Sequence, residues 1–346
     1  MPIVVRPADL ERDRHLLTGL LSRHLSSNFV QQRFDWLYLD NPLGLASAWL
    51  AQEDDSGIVI GCAAVFPRRL WVSGSIQPAY VLGDFCTDVE YRSLGLALRL
   101  QRACLDYVLS TSPALAYDFP SDRMMAIYQR IQIAPFCRMV RWAKPLRVDR
   151  RFSRVLKSPS LRRIAAAPVN KLLHCKDLAF IPRKGDWTIA KLDGDCGEEF
   201  TALAHSLKDR NGWCVERSAD YLNWRYRKHP VRSYEMLTAR RSGALVGCVV
   251  FSNTAEHGSI VDLFGFDDTS MWALLVFRVV ELLRSRGVMT LSMPVLETYP
   301  LSRLLRNMGF RPRESCPVVI YDPGKIATLP GNAAVPWYLM DGDRES

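Results

Sequence analysis

Val81-Leu82-Gly83-Asp84-Phe85-Cys86-Thr87-Asp88-Val89-Glu90-Tyr91-Arg92-Ser93-Leu94-Gly95-Leu96-Ala97-Leu98-Arg99-Leu100 is the stretch whose reading decides the fold. It reads as strand, tight turn, helix. Val81 to Thr87 is an apolar run of strand length with Asp84 at its middle, and Leu94 to Leu109 spaces its apolar residues as an amphipathic helix does. The turn carries R-x-x-G-x-A at Arg92, Gly95 and Ala97. A helix start presents amide N–H groups without intrahelical partners and a partial positive charge. Such a start holds phosphate groups when small residues let a ligand approach the backbone. Gly95 and Ala97 supply the small residues, and Arg92 adds a cation beside them. The plainer alternative is that Gly95 only lets the helix pack close to its sheet.

Working outward, the first half predicts a strand at Ile3 to Arg6, a helix from Asp9 to Leu21, and strands at Trp49 to Gln52, Ile58 to Phe66 and Leu70 to Val72. Beyond the central stretch come a strand at Leu115 to Phe119 and a short helix at Arg123 to Arg130. Three motifs then recur in order. Trp36-Leu37-Tyr38-Leu39-Asp40-Asn41-Pro42 matches Trp224-Arg225-Tyr226-Arg227-Lys228-His229-Pro230 as W-x-Y-x-x-x-P. Gly61-Cys62-Ala63-Ala64-Val65-Phe66 resembles Gly247-Cys248-Val249-Val250-Phe251. Tyr128-Gln129-Arg130-Ile131-Gln132-Ile133 lines up with Leu305-Arg306-Asn307-Met308-Gly309-Phe310. A steady order with a slowly drifting offset is what two copies of one domain produce. The second copy accordingly predicts strands at Trp187 to Leu192, Tyr234 to Ala239, Leu245 to Ser252, Ile260 to Phe264 and Thr290 to Pro294. Its helices fall near Glu199 to Lys208, Ala219 to Arg227, Met271 to Arg286 and Pro300 to Met308. The pattern is an α/β chain with antiparallel hairpins opening each unit.

The 346 residues suffice for two ordinary domains. With 48% hydrophobic and 23% charged residues the chain has a folded composition. No run approaches the roughly 20 apolar residues that span a bilayer. No signal peptide is visible at Met1-Pro2-Ile3-Val4-Val5-Arg6, which leads to the expectation of a cytoplasmic protein. The nine cysteines include no C-x-x-C pair and sit mostly in apolar company, as buried free thiols do in a reducing compartment. The six histidines lack metal-ligand spacing, so no metal is expected.

The formal net charge of +9 is concentrated. Residues 144–184 hold twelve Lys or Arg against Asp149 and Asp177, and the rest of the chain is close to neutral. This basic linker has three readings: a solvated connection, a contact for an anionic membrane surface, or a site for an acidic partner or nucleic acid. No zinc-finger, RRM or KH pattern accompanies it.

A strand followed by R-x-x-G-x-A at the head of a long helix resembles the GCN5-related N-acetyltransferase (GNAT) superfamily. The resemblance implies an α/β (α+β) chain of two tandem GNAT-like domains, each a mixed, mostly antiparallel sheet flanked by helices. Residues 1–143 would form the cofactor-binding domain, 144–184 the linker and 185–346 a degenerate second domain. It also implies acetyl-CoA as co-substrate. Phe85, Cys86 and Thr87 would pair with the pantetheine arm, and Arg92, Ser93, Leu94, Gly95, Leu96 and Ala97 would hold the pyrophosphate. Tyr128 takes the place of the family's tyrosine acid, which protonates the departing thiolate, although Gln132 and Ile133 replace the Gly-Phe that follows it. The second copy lacks the loop at Asp262-Leu263-Phe264-Gly265-Phe266-Asp267-Asp268 and has Leu305 at the tyrosine position. One cofactor site, in the first half, is therefore expected.

Direct acyl transfer requires a group that accepts the amine's proton. Asp84 and Asp118 are the candidates. Asp84 sits in an apolar run where burial would raise its pKa, unless it is paired with an Arg or a backbone N–H. Trp36, Tyr38, Trp224 and Tyr226 read as core, His229 as a turn residue, and Cys86 as a thiol with no activating partner. The expected function is an acyl-CoA-dependent N-acyltransferase that acts on a small-molecule or sugar amine. The rival readings are a non-catalytic acyl-CoA-binding scaffold and a peripheral membrane or polyanion-binding module.

Overall fold

The computed structural model describes residues 2–24, 30–92, 94–111, 114–150, 156–178, 185–208, 212–324 and 337–345. The first half runs β1 (Ile3–Pro7), α1 (Arg14–His24), α2 (Val30–Phe34), β2 (Ser47–Glu53), β3 (Val59–Val72), β4 (Ser75–Thr87), α3 (Leu94–Ser110), β5 (Leu115–Asp118), α4 (Asp122–Arg130) and β6 (Cys137–Pro145). A connecting helix, α5 (Pro159–Leu178), leads to the second half. There follow β7 (Trp187–Lys191), α6 (Glu198–Ser206), β8 (Trp213–Val215), α7 (Ala219–Leu222), β9 (Glu235–Arg241), β10 (Ala244–Asn253) and β11 (His257–Gly265). The chain ends in α8 (Thr269–Ser285), β12 (Thr290–Leu296), α9 (Leu301–Asn307), β13 (Arg311–Tyr321) and β14 (Trp337–Tyr338).

The strands form one sheet in the order β1-β2-β3-β4-β5-β13-β6-β12-β11-β10-β9-β7. Read from either edge, this order gives the same element of the repeat at each step. The centre holds a reciprocal exchange. β13 of the second half pairs with β5 of the first, β6 of the first pairs with β12 of the second, and β6 and β13 pair with each other. The boundary read at residue 143 therefore falls inside a strand that belongs to the neighbouring half's sheet. The mixed basic and apolar run of Cys137 to Pro145 hid that strand.

The two W-x-Y-x-x-x-P motifs meet on the pseudo-twofold axis. Each is a π-helical turn, Asp35–Leu39 after α2 and Asn223–Arg227 after α7. The wider turn sets each indole against the other. Trp36 and Trp224 stack at 4.8 Å, and each Nε1–H donates to the other's backbone carbonyl at 2.8 Å. The core reading of these tryptophans is correct, with the added feature that they join the halves.

β3 is one strand of fourteen residues, not the two that Pro67 and the arginines beside it suggested. It turns into β4 at Ser73 and Gly74, both at positive φ, as a tight hairpin requires. β4 and β5 run parallel and pair from Ala79 to Val81 against Leu115 to Tyr117, then diverge. β11 and β12 pair from His257 to Ser259 against Thr290 to Ser292 and diverge likewise. Two wedge-shaped splits result, one per half.

Candidate active site

The second split is filled by the chain itself. Past β14, Met340 bridges Val295 on β12, and the turn at Asp341–Asp343 packs against β11 and β12. Arg217 donates to the carboxylates of both Asp262 and Asp343, and Arg225 Nε donates to the Gly342 carbonyl at 2.8 Å. A Cβ on Gly342 would meet the Tyr226 hydroxyl at 1.9 Å, so only glycine passes there.

The first split is open. It contains a cavity of about 420 Å³ whose walls include Gly83, Asp84, Gln101, Asp118, His229 and Glu345. A second cavity of about 470 Å³ holds Thr87, Arg92, Ala97 and Arg123 and shares Phe85, Cys86, Ser121 and Met124 with the first. The two form one cleft from the split to the start of α3. Of the residues read as pantetheine- and pyrophosphate-binding, Phe85, Cys86, Thr87, Arg92 and Ala97 lie on its walls. Gly95 is exposed, and a Cβ there would meet nothing within 4 Å. Leu96 points the other way, into the core with Trp49 and Leu100, so only its backbone can face a ligand. Ser93 lies outside the described residues, as does the side chain of Leu94.

Asp84 occupies a bulge of β4 at φ 48°. Arg33 grips it with two hydrogen bonds of 2.7 and 2.8 Å, and the Tyr38 hydroxyl donates a third at 2.8 Å. Of the two readings the sequence leaves for Asp84, a buried base or a carboxylate paired with an Arg, the geometry is that of the pair: both oxygens are committed. The second half repeats the trio, with Asp262 accepting from Arg217 and from Tyr226. A cluster present in the plugged half as well as the open one belongs to the fold.

Asp118 has no such counterpart. Burial pushes its carboxyl up to about 7; the hydrogen bond from Tyr128 opposes the rise and the charge of Glu345 adds to it. Tyr128 Oη donates to Asp118 Oδ2 at 2.6 Å and accepts from Gln101 Nε2 at 3.1 Å. Tyr128 itself is fully buried, and it is absent from the walls of both cavities. For Tyr128, read from the sequence as the acid, the structure places the hydroxyl behind Asp118 and not on the cavity wall. Burial raises its pKa far above the usual phenol value.

Several wall residues were not placed at the site by the sequence reading, and some of them come from the second half. Glu345 crosses from the second half, and burial raises its pKa. A Cβ on Gly83 would meet Glu345 Cγ at 2.5 Å and Cβ at 2.8 Å. That glycine, set in an otherwise apolar strand, was the available signal of a close approach. His229 and Arg232 also come from the second half. His229 Nδ1 accepts from the Val231 and Arg232 amides, which makes it the turn residue expected. Burial, with Arg225, Arg232 and Arg33 nearby, lowers its pKa to about 3. Cys86 Sγ lies 3.5 Å from Cys62 Sγ, with no histidine or carboxylate hydrogen-bonded to it among the described residues.

No family model matches the sequence, and no curated protein does. Solved structures do. A GCN5-related N-acetyltransferase from Anabaena variabilis is 12% identical and superposes with a TM-score of 0.66 over 92% of this chain and 72% of its own. A tandem GNAT protein from the clavulanic acid biosynthesis pathway is 11% identical, with a TM-score of 0.59 over 93% of this chain and 98% of its own. Saccharomyces cerevisiae N-myristoyltransferase with bound myristoyl-CoA is 12% identical, with a TM-score of 0.60 over 93% and 84%. At these identities the likeness is one of fold, and the fold is the tandem GNAT fold.

Proposed function

We propose that the chain is an acyl-CoA-dependent N-acyltransferase, most simply an acetyltransferase, with a single site in the open split of the first half. The observation that carries this reading is the asymmetry of the two splits. One is plugged, while the other leads from an ionisable carboxyl to a helix start with a glycine open to solvent. Acyl-CoA is a substrate that these residues fit. Amides at the start of α3 with Arg92 and Arg123 suit its phosphates, and the unpaired edge of β4 at Phe85 to Thr87 suits the amides of its pantetheine arm. The neighbours described above, one of them carrying myristoyl-CoA, support the assignment at the level of fold.

In this proposal the acceptor is a compact amine carried by a small molecule or a sugar. Asp118 and Glu345 on one wall draw the acceptor in as its ammonium, which sheds one proton to water to become the neutral amine that reacts. Asp118, with a pKa near 7, accepts the amine's proton as nitrogen attacks the thioester carbon. When the C–S bond breaks, the same proton passes to the thiolate, so amine and acyl-CoA become amide and free thiol. Tyr128 and Gln101 are positioning residues that fix the carboxyl.

Calorimetric titration with acetyl-CoA tests the reading. The parent should bind at one site. Gly95→Glu should abolish binding through charge and bulk, and the open space around Gly95 leaves the fold undisturbed. Equal binding by parent and variant would remove α3 as the phosphate site. A screen of amine acceptors then follows thiol release.

A further inference from the structure

α5 docks on the second half by its polar side. Asn170 Oδ1 accepts from the Val148 amide at 2.9 Å, and Asn170 Nδ2 donates to Asp149 at 3.1 Å. Asp177 is buried between Lys144 and Arg284, and the Arg284 guanidinium also reaches His174 at 3.2 Å. Ala166 is buried on the same side. The opposite side is apolar and faces solvent. Leu161, Ile164, Pro168, Leu172 and Cys175 follow one another at spacings of three and four, which sets them in one stripe. Leu161 is 53% exposed, Ile164 70% and Leu172 56%. Lys171 and Lys176, both exposed, fall on either flank of that stripe. A surface helix of a water-facing protein turns its apolar stripe inward. This one is inverted.

We propose that α5 docks the protein on an anionic lipid bilayer, with the Leu161–Ile164–Leu172 stripe entering the headgroup boundary. Charge complementarity selects this occupant. An apolar stripe between lysines is the pattern that lies in a membrane interface, where leucines bury among acyl chains and ammonium groups meet lipid phosphates. The surrounding segment, twelve cations against two acids, adds attraction of the same sign. A second copy of the chain packed on the stripe would bring these like charges together, and nucleic acid would leave the leucines without a partner. No helix among the described residues is long and apolar enough to cross a membrane, so the contact is at the surface. The proposal is independent of the acyl-transfer reading.

The test is flotation of the full chain with vesicles of phosphatidylcholine containing phosphatidylglycerol, beside vesicles of phosphatidylcholine alone. Binding is expected to the first and not the second, and to weaken as salt rises. The triple substitution Leu161→Asp, Ile164→Asp, Leu172→Asp should lower partitioning on the order of a hundredfold. Lys171→Gln and Lys176→Gln should each lower it about fivefold. All these positions are exposed, so unfolding midpoints should match the parent's. Cys175 is the one exposed cysteine among the described residues and can carry an environment-sensitive fluorophore, whose emission should shift to the blue with anionic vesicles. Failure to float with anionic vesicles, parental binding by the triple variant, or a parent dimer that the triple variant dissociates would each overturn the proposal.

Discussion

Asp84 and Asp118 lie on neighbouring strands and face one cavity, yet their surroundings give them opposite tasks. Asp84 accepts from Arg33 and Tyr38, with 3% of its side chain exposed. Breaking a buried pair from one side leaves an uncompensated charge, so Asp84→Asn should destabilise the fold by about 3 kcal/mol. Asp262→Asn, in the matching trio of the plugged half, should cost a similar amount. Equal losses in urea unfolding would confirm that the trio serves the fold; a stable, inactive Asp84→Asn would return Asp84 to the reaction. Asp118 behaves the other way. Its folded pKa of about 7 exceeds the ordinary 3.8, so its contribution to stability is fully present below about pH 4 and is lost as pH rises through 7. Asp118→Asn should therefore be no less stable than the parent at pH 8. Catalysis needs the ionised carboxylate, so kcat/KM should rise with pH about a midpoint near 7, and Asp118→Asn should lose both the rise and most of the rate. A rising limb with the same midpoint that survives in Asp118→Asn would take the proton transfer away from Asp118.

Elements decide which of these residues reach the cavity, and they differ in how far the sequence announces them. The strand, loop and helix from Val81 to Ser110 were legible because period-two and helical patterns abut at small residues. The W-x-Y-x-x-x-P repeat was legible as a repeat but not as a π-helical turn, since the extra residue per turn leaves no mark in apolar spacing. β6 and β13 were illegible because Arg138, Arg141, Arg311 and Arg313 interrupt their alternation. The segment from Trp337 to Glu345 carries no periodic signal at all; its place is fixed by contacts to Arg217, Arg225 and Gly83, distant in sequence. That segment yields a test of its own. Gly83→Ala puts a methyl group where Glu345 Cβ and Cγ now lie, and a Cβ cannot swing aside as the end of a flexible side chain can. The variant should displace Glu345 from the wall, raise KM for the amine, and leave calorimetric binding of acetyl-CoA close to the parent's. An unchanged KM for the amine would show that Glu345 takes no part in holding the acceptor.

At the scale of the whole molecule, the exchange of β6 and β13 makes two copies of a domain into one unit. Trp71 of the first half packs in the core of the second, while Trp213, Trp224, Leu296 and Trp337 pack in the core of the first. The same interpenetration explains the single open split. The segment that plugs one half's wedge goes on to place Glu345 on the other half's wall, and the turn after Asn223–Arg227 adds His229 and Arg232, so the second copy furnishes a cleft it does not itself keep. Stability should then be indivisible. Removing the Trp224 indole breaks the stack on Trp36 and the hydrogen bond that the indole donates to the Trp36 carbonyl, and Trp224→Ala should cost about 3–5 kcal/mol. Calorimetry of parent and variant should each show one transition, lowered in the variant. Buried Cys62 and Cys104 of the first half and Cys196 and Cys248 of the second should become reactive to a thiol label at one common temperature. Two transitions, with only the thiols of the second half following the lower one, would mean that the halves fold apart and that the exchanged strands do not couple them.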